Sequence, residues 1–202
     1  RTNNGVEDSG ISNSPDTPTW QAAGASYASL ADTYAADFTI ASSTGPYLVQ
    51  NNITINAGVT VIVQSGTVIK MNTDAGSTGC NSGTLSCTIT VSGTLALGSA
   101  TDAINGVVIT SRDDDAYGGA VATSDGTPAT GDWGRIVATS ATSNLDFDNA
   151  IVTYGGNTTN MIQVSGGAQA NIARSIIGYS NSHGIITGGA TSNLTIASST
   201  IS

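Results

Sequence analysis

Of the 202 residues only 9% are charged, five basic against fourteen acidic, giving a net charge of −9, where globular chains usually carry about 25%. The basic residues are Arg1, Lys70, Arg112, Arg135 and Arg174, too few and too scattered for a phosphate-neutralising patch, which excludes nucleic acid as an ordinary partner. No apolar run reaches the length of about 18 residues that a membrane span needs, and regular alternation of the 39% apolar residues argues against disorder.

Residues 1–45 are rich in Ala, Ser and Asp with scattered aromatics (Trp20, Tyr27, Tyr34, Phe38) and lack the pattern that follows. They are expected to form a cap on the regular domain, or an arm that packs on a neighbouring subunit. The chain opens at Arg1 with no apolar leader, which reads as a processed or excised piece of something longer.

From Pro46 onward two-residue alternation dominates: "ITINAGVTVIV", "TITVSGTLAL", "INGVVIT", "NLDFDNAIV" and "NLTIASSTI". This is the pattern of short strands, and no segment keeps a helical period. Two stretches read alike, "VIVQSGTVIKMNTDA" and "ITVSGTLALGSATDA", with their Gly-Thr pairs 27 residues apart. Between them lies "CNSGTLSC", holding Cys80 and Cys87, the two cysteines of the chain. A disulfide closing the loop 80–87 implies an oxidising compartment. A zinc site is the rival reading, poorly served by two cysteines without a nearby histidine.

In the C-terminal third the spacing becomes regular. Leu145, Phe147, Ala150, Ile151 and Tyr154 recur 25 residues later as Ala170, Ile172, Ser175, Ile176 and Tyr179. Ile172 and Ser175 recur 24 residues later as Ile196 and Ser199, Met161 and Ile162 map onto Ile185 and Ile186, and Ile136 lies 26 before Ile162. Such a unit is too short for a propeller blade of about 40 residues. It fits one coil of a right-handed parallel β-helix over 46–202, whose coils stack about 4.8 Å apart and bury a shared core. Gly58, Gly66, Gly93, Gly106, Gly166 and Gly188 mark corners. An antiparallel sandwich is the rival all-β fold.

The succession "PYLVQNNITINAGVTVIVQSGTVIKM", "TITVSGTLALGS", "INGVVITSRDDD", "GDWGRI" and "LDFDNAIVTYGG" resembles the right-handed parallel β-helix regions of large secreted prokaryotic surface proteins. Arg135 stands where that pattern usually has a second Gly. The resemblance implies a pectin-lyase-like architecture, and that many members are non-catalytic stalks, adhesins or surface-layer parts.

The acidic insertion 111–132 interrupts the repeat with Asp113, Asp114, Asp115, Asp125 and Asp132. Oxygen-rich, Gly-rich loops suit calcium, and Asp113, Asp115 and Asp125 are its candidate ligands; a solvated acidic loop is the bland alternative. A lyase or glycosidase on this fold would need carboxylates or bases on neighbouring coils. Asp146 and Asp148 are the close outward pair, with Asn171 and Ala173 one coil on, and Lys70 and Arg174 read as isolated. His183 in "SNSHGI" reads as a turn residue. Asn52, Asn157 and Asn193 sit in glycosylation sequons, and Thr54, Thr60 and Thr67 make no flat ice-binding array. No catalytic residue is assigned. The expectation is an extracellular structural or adhesive solenoid, joined end to end to copies of itself or to other cell-surface components. A carbohydrate-binding or carbohydrate-cleaving β-helix, with glycans as partners, is the alternative.

Overall fold

A computed structural model describes residues 27–42, 45–73, 87–99, 106–157 and 159–202. Among them the secondary structure is strand alone, nineteen short elements in three sheets, every pairing parallel. Sheet A holds β1 (Ala28–Ser29), β4 (Tyr47–Val49), β7 (Val68–Met71), β10 (Val107–Ser111), β13 (Ala150–Thr153), β16 (Ile176–Gly178) and β19 (Thr200–Ile201). Sheet B holds β2 (Thr33–Tyr34), β5 (Ile53–Ile55), β8 (Ile89–Val91), β11 (Ile136–Ala138), β14 (Asn160–Ser165) and β17 (His183–Gly188). Sheet C holds β3 (Phe38–Ile40), β6 (Thr60–Val63), β9 (Thr94–Leu97), β12 (Asn144–Asp148), β15 (Gln169–Ala173) and β18 (Asn193–Ala197). The chain passes A, B, C in turn and begins again: a parallel β-helix.

Each strand lends every second side chain to the interior. In register, Ile40 meets Val63, then Leu97, Phe147, Ile172 and Ile196. Four of these are at most 1% exposed, whereas Ile196, in the last strand of sheet C, is 44% exposed. Ile69, Ile109, Val152, Ile177 and Ile201 form the matching column in sheet A. A coil of two- to six-residue strands buries little alone; neighbouring coils supply the other wall of each side chain.

The ladder starts earlier than expected. β1, β2 and β3 precede Pro46 and already pair with β4, β5 and β6, so residues 28–40 are a coil, and the expected boundary at 45/46 falls inside the solenoid. Strands of two or three residues carry too little alternation to be read as strands. Residues 1–26 lie outside the described residues.

The two look-alike stretches are not equivalents. Gly66-Thr67 leads into β7 of sheet A, while Gly93-Thr94 leads into β9 of sheet C. The true partners are "ITINAGVTVIV" and "ITVSGTLAL": Ile53 pairs with Ile89 and Thr60 with Thr94. The same corner chemistry serves different corners, and a shorter turn at Gly93 disguises the correspondence. A Cβ on Gly93 would overlap the carbonyl oxygens of Val59 and Asn56, so that turn closes only with glycine. One further register moves by a residue. Ile162 pairs with Ile185, and Gln163 with Ile186, because two adjacent apolar residues, Met161 and Ile162, give no parity signal.

Candidate functional site

The acidic insertion leaves sheet A at the end of β10 and folds back over the outer face of that sheet. Since Ile69 and Met71 belong to the core, the alternating Val68 and Lys70 point outward. Val68 is in register with Val108, and Lys70 with Leu48 on one side and Thr110 on the other. All five are buried, Val68, Lys70, Val108 and Thr110 at 0% exposure, although their faces would meet water in a bare solenoid. Gly118 explains the burial: a Cβ there would lie 3.1 Å from Pro46 and 3.2 Å from Val68. The insertion is therefore a cover on sheet A.

Lys70 is the centre of that cover. Its Nζ donates to the carbonyl oxygens of Gly119 (2.5 Å), Asp114 (2.9 Å) and Arg112 (3.3 Å), and lies 3.7 Å from Asp115 Oδ1. Burial lowers its pKa, and the nearby Asp115, Asp114 and Asp113 oppose that shift. Arg112 clamps the root of the insertion: Nε and Nη2 donate to the two oxygens of Asp113, and Nη1 to Asn72 Oδ1 beyond β7. Asp114 accepts from the Thr110 hydroxyl (2.6 Å), which in turn receives the Thr153 hydroxyl (3.0 Å). At the far root Asp132 accepts from Ser111 Oγ and the Ala129 amide, while burial raises its pKa. Trp133, fully buried, donates its indole N–H to the Thr153 carbonyl (2.7 Å).

The three expected calcium ligands lie in one network, the Asp125 amide donating to Asp113 Oδ1 (3.3 Å), but each carboxylate has its own partners. Asp113 accepts from Arg112 and from Thr73 Oγ1. Asp115 accepts from Ser124 Oγ (2.7 Å) and faces Lys70. Asp125 is exposed and caps its own turn, accepting from the Thr127 amide. Among the described residues no group of three or more His, Cys, Asp and Glu is gathered so as to hold a metal. Calcium takes six to eight oxygens, and the three carboxylates already accept from Arg112, Thr73, Ser124 and the Thr127 amide.

The other candidates fall along the flanks. Asp146 and Asp148 alternate with the buried Leu145 and Phe147, as expected. Asp146 accepts from Asn171 Nδ2 of the next coil and Asp148 pairs with Arg174, so Arg174 is not isolated, and neither is Lys70. Exposed His183 lies with Nδ1 2.9 Å from Ser182 Oγ. Asn52 and Asn193 are exposed and Asn157 is half-buried. Cys87 is buried, its Sγ 3.6 Å from the Val49 carbonyl oxygen; Cys80 lies outside the described residues. Thr54 heads no shared array with Thr60 and Thr67: it aligns with Thr33 and Thr90 on sheet B, Thr60 with Thr94 on sheet C, and Thr67 is buried.

The recurrence of Tyr154 as Tyr179 has a consequence that spacing alone does not give, a stacked aromatic pair. Tyr154 and Tyr179 occupy the same corner of successive coils with φ of 64° and 57°. Their rings stack at 5.0 Å and 13°. Backbone in that region is costly for a bulky side chain, and the stack offsets part of the cost. Tyr179 remains 60% exposed.

Compared with protein-family models, with curated proteins and with solved structures, the chain gives no match.

Proposed function

We propose that this chain is an extracellular, non-enzymatic structural or adhesive element, a right-handed β-helix of pectin-lyase-like type that stacks end to end into a surface filament. The observation that carries the reading is the unbroken stack: the core column from Ile40 through Val63, Leu97, Phe147 and Ile172 runs in register from coil to coil, as a stiff rod requires. Coils stacked in this way extend along one axis, and a head-to-tail contact between such rods does not close on itself but propagates. The low charge of the flanks leaves the ends as the adhesive surfaces. A Cys80–Cys87 bridge and glycans on Asn52, Asn157 or Asn193 belong to the same reading. Negative-stain electron microscopy tests it. Uniform filaments are expected from the parent chain and short rods from Ile196→Lys; rods from both end the filament reading.

The alternative, a carbohydrate-binding or carbohydrate-cleaving β-helix, draws support from Tyr179. Its exposed ring face beside the insertion is a surface on which a sugar ring stacks through its C–H groups. The outward carboxylates Asp146 and Asp148 are engaged by Asn171 and Arg174, which favours binding over cleavage. A glycan array probed with the parent chain and with Tyr179→Ala separates this reading: a signal lost in the variant supports it, and a blank array removes it.

A further inference from the structure

We propose that the acidic insertion carries its own cation: the Lys70 ammonium fills a cage of four protein oxygens, and this cage, rather than a divalent metal, holds the insertion over sheet A. An ammonium has three protons to donate, and the three acceptors are the carbonyls of Arg112, Asp114 and Gly119. These come from both ends of the first turn of the insertion, so one side chain from β7 fixes the path of the loop that follows β10. Asp115 supplies the counter-charge at 3.7 Å. Of the neighbouring carboxylates, Asp113 is paired with Arg112, and Asp114 is held by the Thr110 hydroxyl and the Ala116 amide. Three neutral carbonyls and the Asp115 carboxylate, which also accepts from Ser124 Oγ, are the oxygens that meet the ammonium.

Lysine suits this cage where arginine would not, because its head is a compact point charge on a flexible stem. The stem runs outward from β7 between the outward neighbours in register with it, Leu48 and Thr110, and is fully buried. With the ammonium removed, the carbonyls of Arg112 and Gly119 would lose their side-chain donor and Asp115 its counter-charge, and a buried unpaired polar group is expensive. The vacated space matches a small alkylammonium: truncation to alanine removes three methylene groups and the ammonium, which is propylammonium.

Amide hydrogen exchange over 111–132 in the full chain tests the cage, with peptides from β14 to β16 as internal reference. In the parent protein, protection of the insertion is expected to be the same in chelator and in millimolar calcium. Lys70→Ala is expected to lose at least tenfold protection in the insertion while the reference peptides keep theirs. Propylammonium at tens of millimolar is expected to restore it, and to leave Lys70→Met, whose side chain fills the space, unrestored. Loss of protection in the parent chain on chelation would overturn the proposal, and that arm stands even if the variants fail to fold. So would wild-type protection in Lys70→Ala, or a loss that propylammonium restores equally in both variants or in neither.

Discussion

Sheet A is two surfaces made from one pattern. Val68, Val108, Ile151 and Ile176 form a single outward column in register, yet the first two are fully buried, Ile151 is half-buried and Ile176 is 45% exposed. The strands do not differ in kind along that column. What differs is the cover: the insertion lies over β7 and β10 and runs out beyond β13. The interior column shows the same change for another reason, since Phe147 is covered by coils on both sides and Ile196 by a coil on one. A solenoid repeats its backbone geometry, so the energetic worth of a position is set by what lies over it.

The largest contrast is expected inside. Phe147→Ala removes a fully buried ring and should cost about 3–5 kcal/mol, against well under half of that for Ile196→Ala in the terminal strand. Denaturant unfolding with unchanged slope measures both; equal losses would mean that the terminal coil is covered in solution. On the outer face, Val108→Asp places a carboxylate beneath the insertion and should cost about 2–4 kcal/mol. Ile176→Asp, one step past the cover, should stay within about 0.5 kcal/mol. A Val108→Asp variant of parent stability would show that the cover is lifted in solution.

Corners sharpen the comparison further. Gly58 has φ of 77° with nothing near its absent Cβ, whereas a Cβ on Gly93 would strike the backbone oxygens of Val59 and Asn56. Gly58→Ala carries the conformational cost alone, about 1 kcal/mol. Gly93→Ala carries no such backbone cost but must displace the backbone oxygens of Val59 and Asn56, and should lose at least twice as much in the same unfolding measurement.

How far the sequence reveals this follows from the same contrast. The 25-residue recurrence is plain from Leu145 onward because those coils carry no insertion, and each inward residue finds its equivalent at near-constant distance. It blurs earlier, where the segments 74–86 and 111–132 lengthen coils and a Gly-Thr corner serves two different sheets. The first coil is hidden by the shortness of β1 and β2. The cover is hidden for a different reason: its fold is set by polar contacts across 42 to 49 residues, from Lys70 to Arg112, Asp114 and Gly119. An acidic run read by itself looks solvated. The available clue was a lysine standing at an outward strand position among apolar neighbours, one coil below the insertion's root.

The smallest expected effect concerns pH at the far root of the cover. Burial raises the pKa of Asp132 above its ordinary 3.8, against the lowering influence of Ser111 and the Ala129 amide, with Asp113 and Asp125 adding to the rise. The folded carboxyl then ionises at higher pH than the unfolded one, so between the two values the folded state binds more protons. Stability from this group falls as pH rises through that window, and is recovered on acidification below the unfolded value. Asp132→Asn keeps an acceptor for Ser111 and removes the titration. The difference in unfolding free energy between parent and variant should therefore drift with pH across the carboxylate range, the parent losing ground as pH rises. A difference that stays flat, or drifts the other way, would place Asp132 in water and the far root of the cover open.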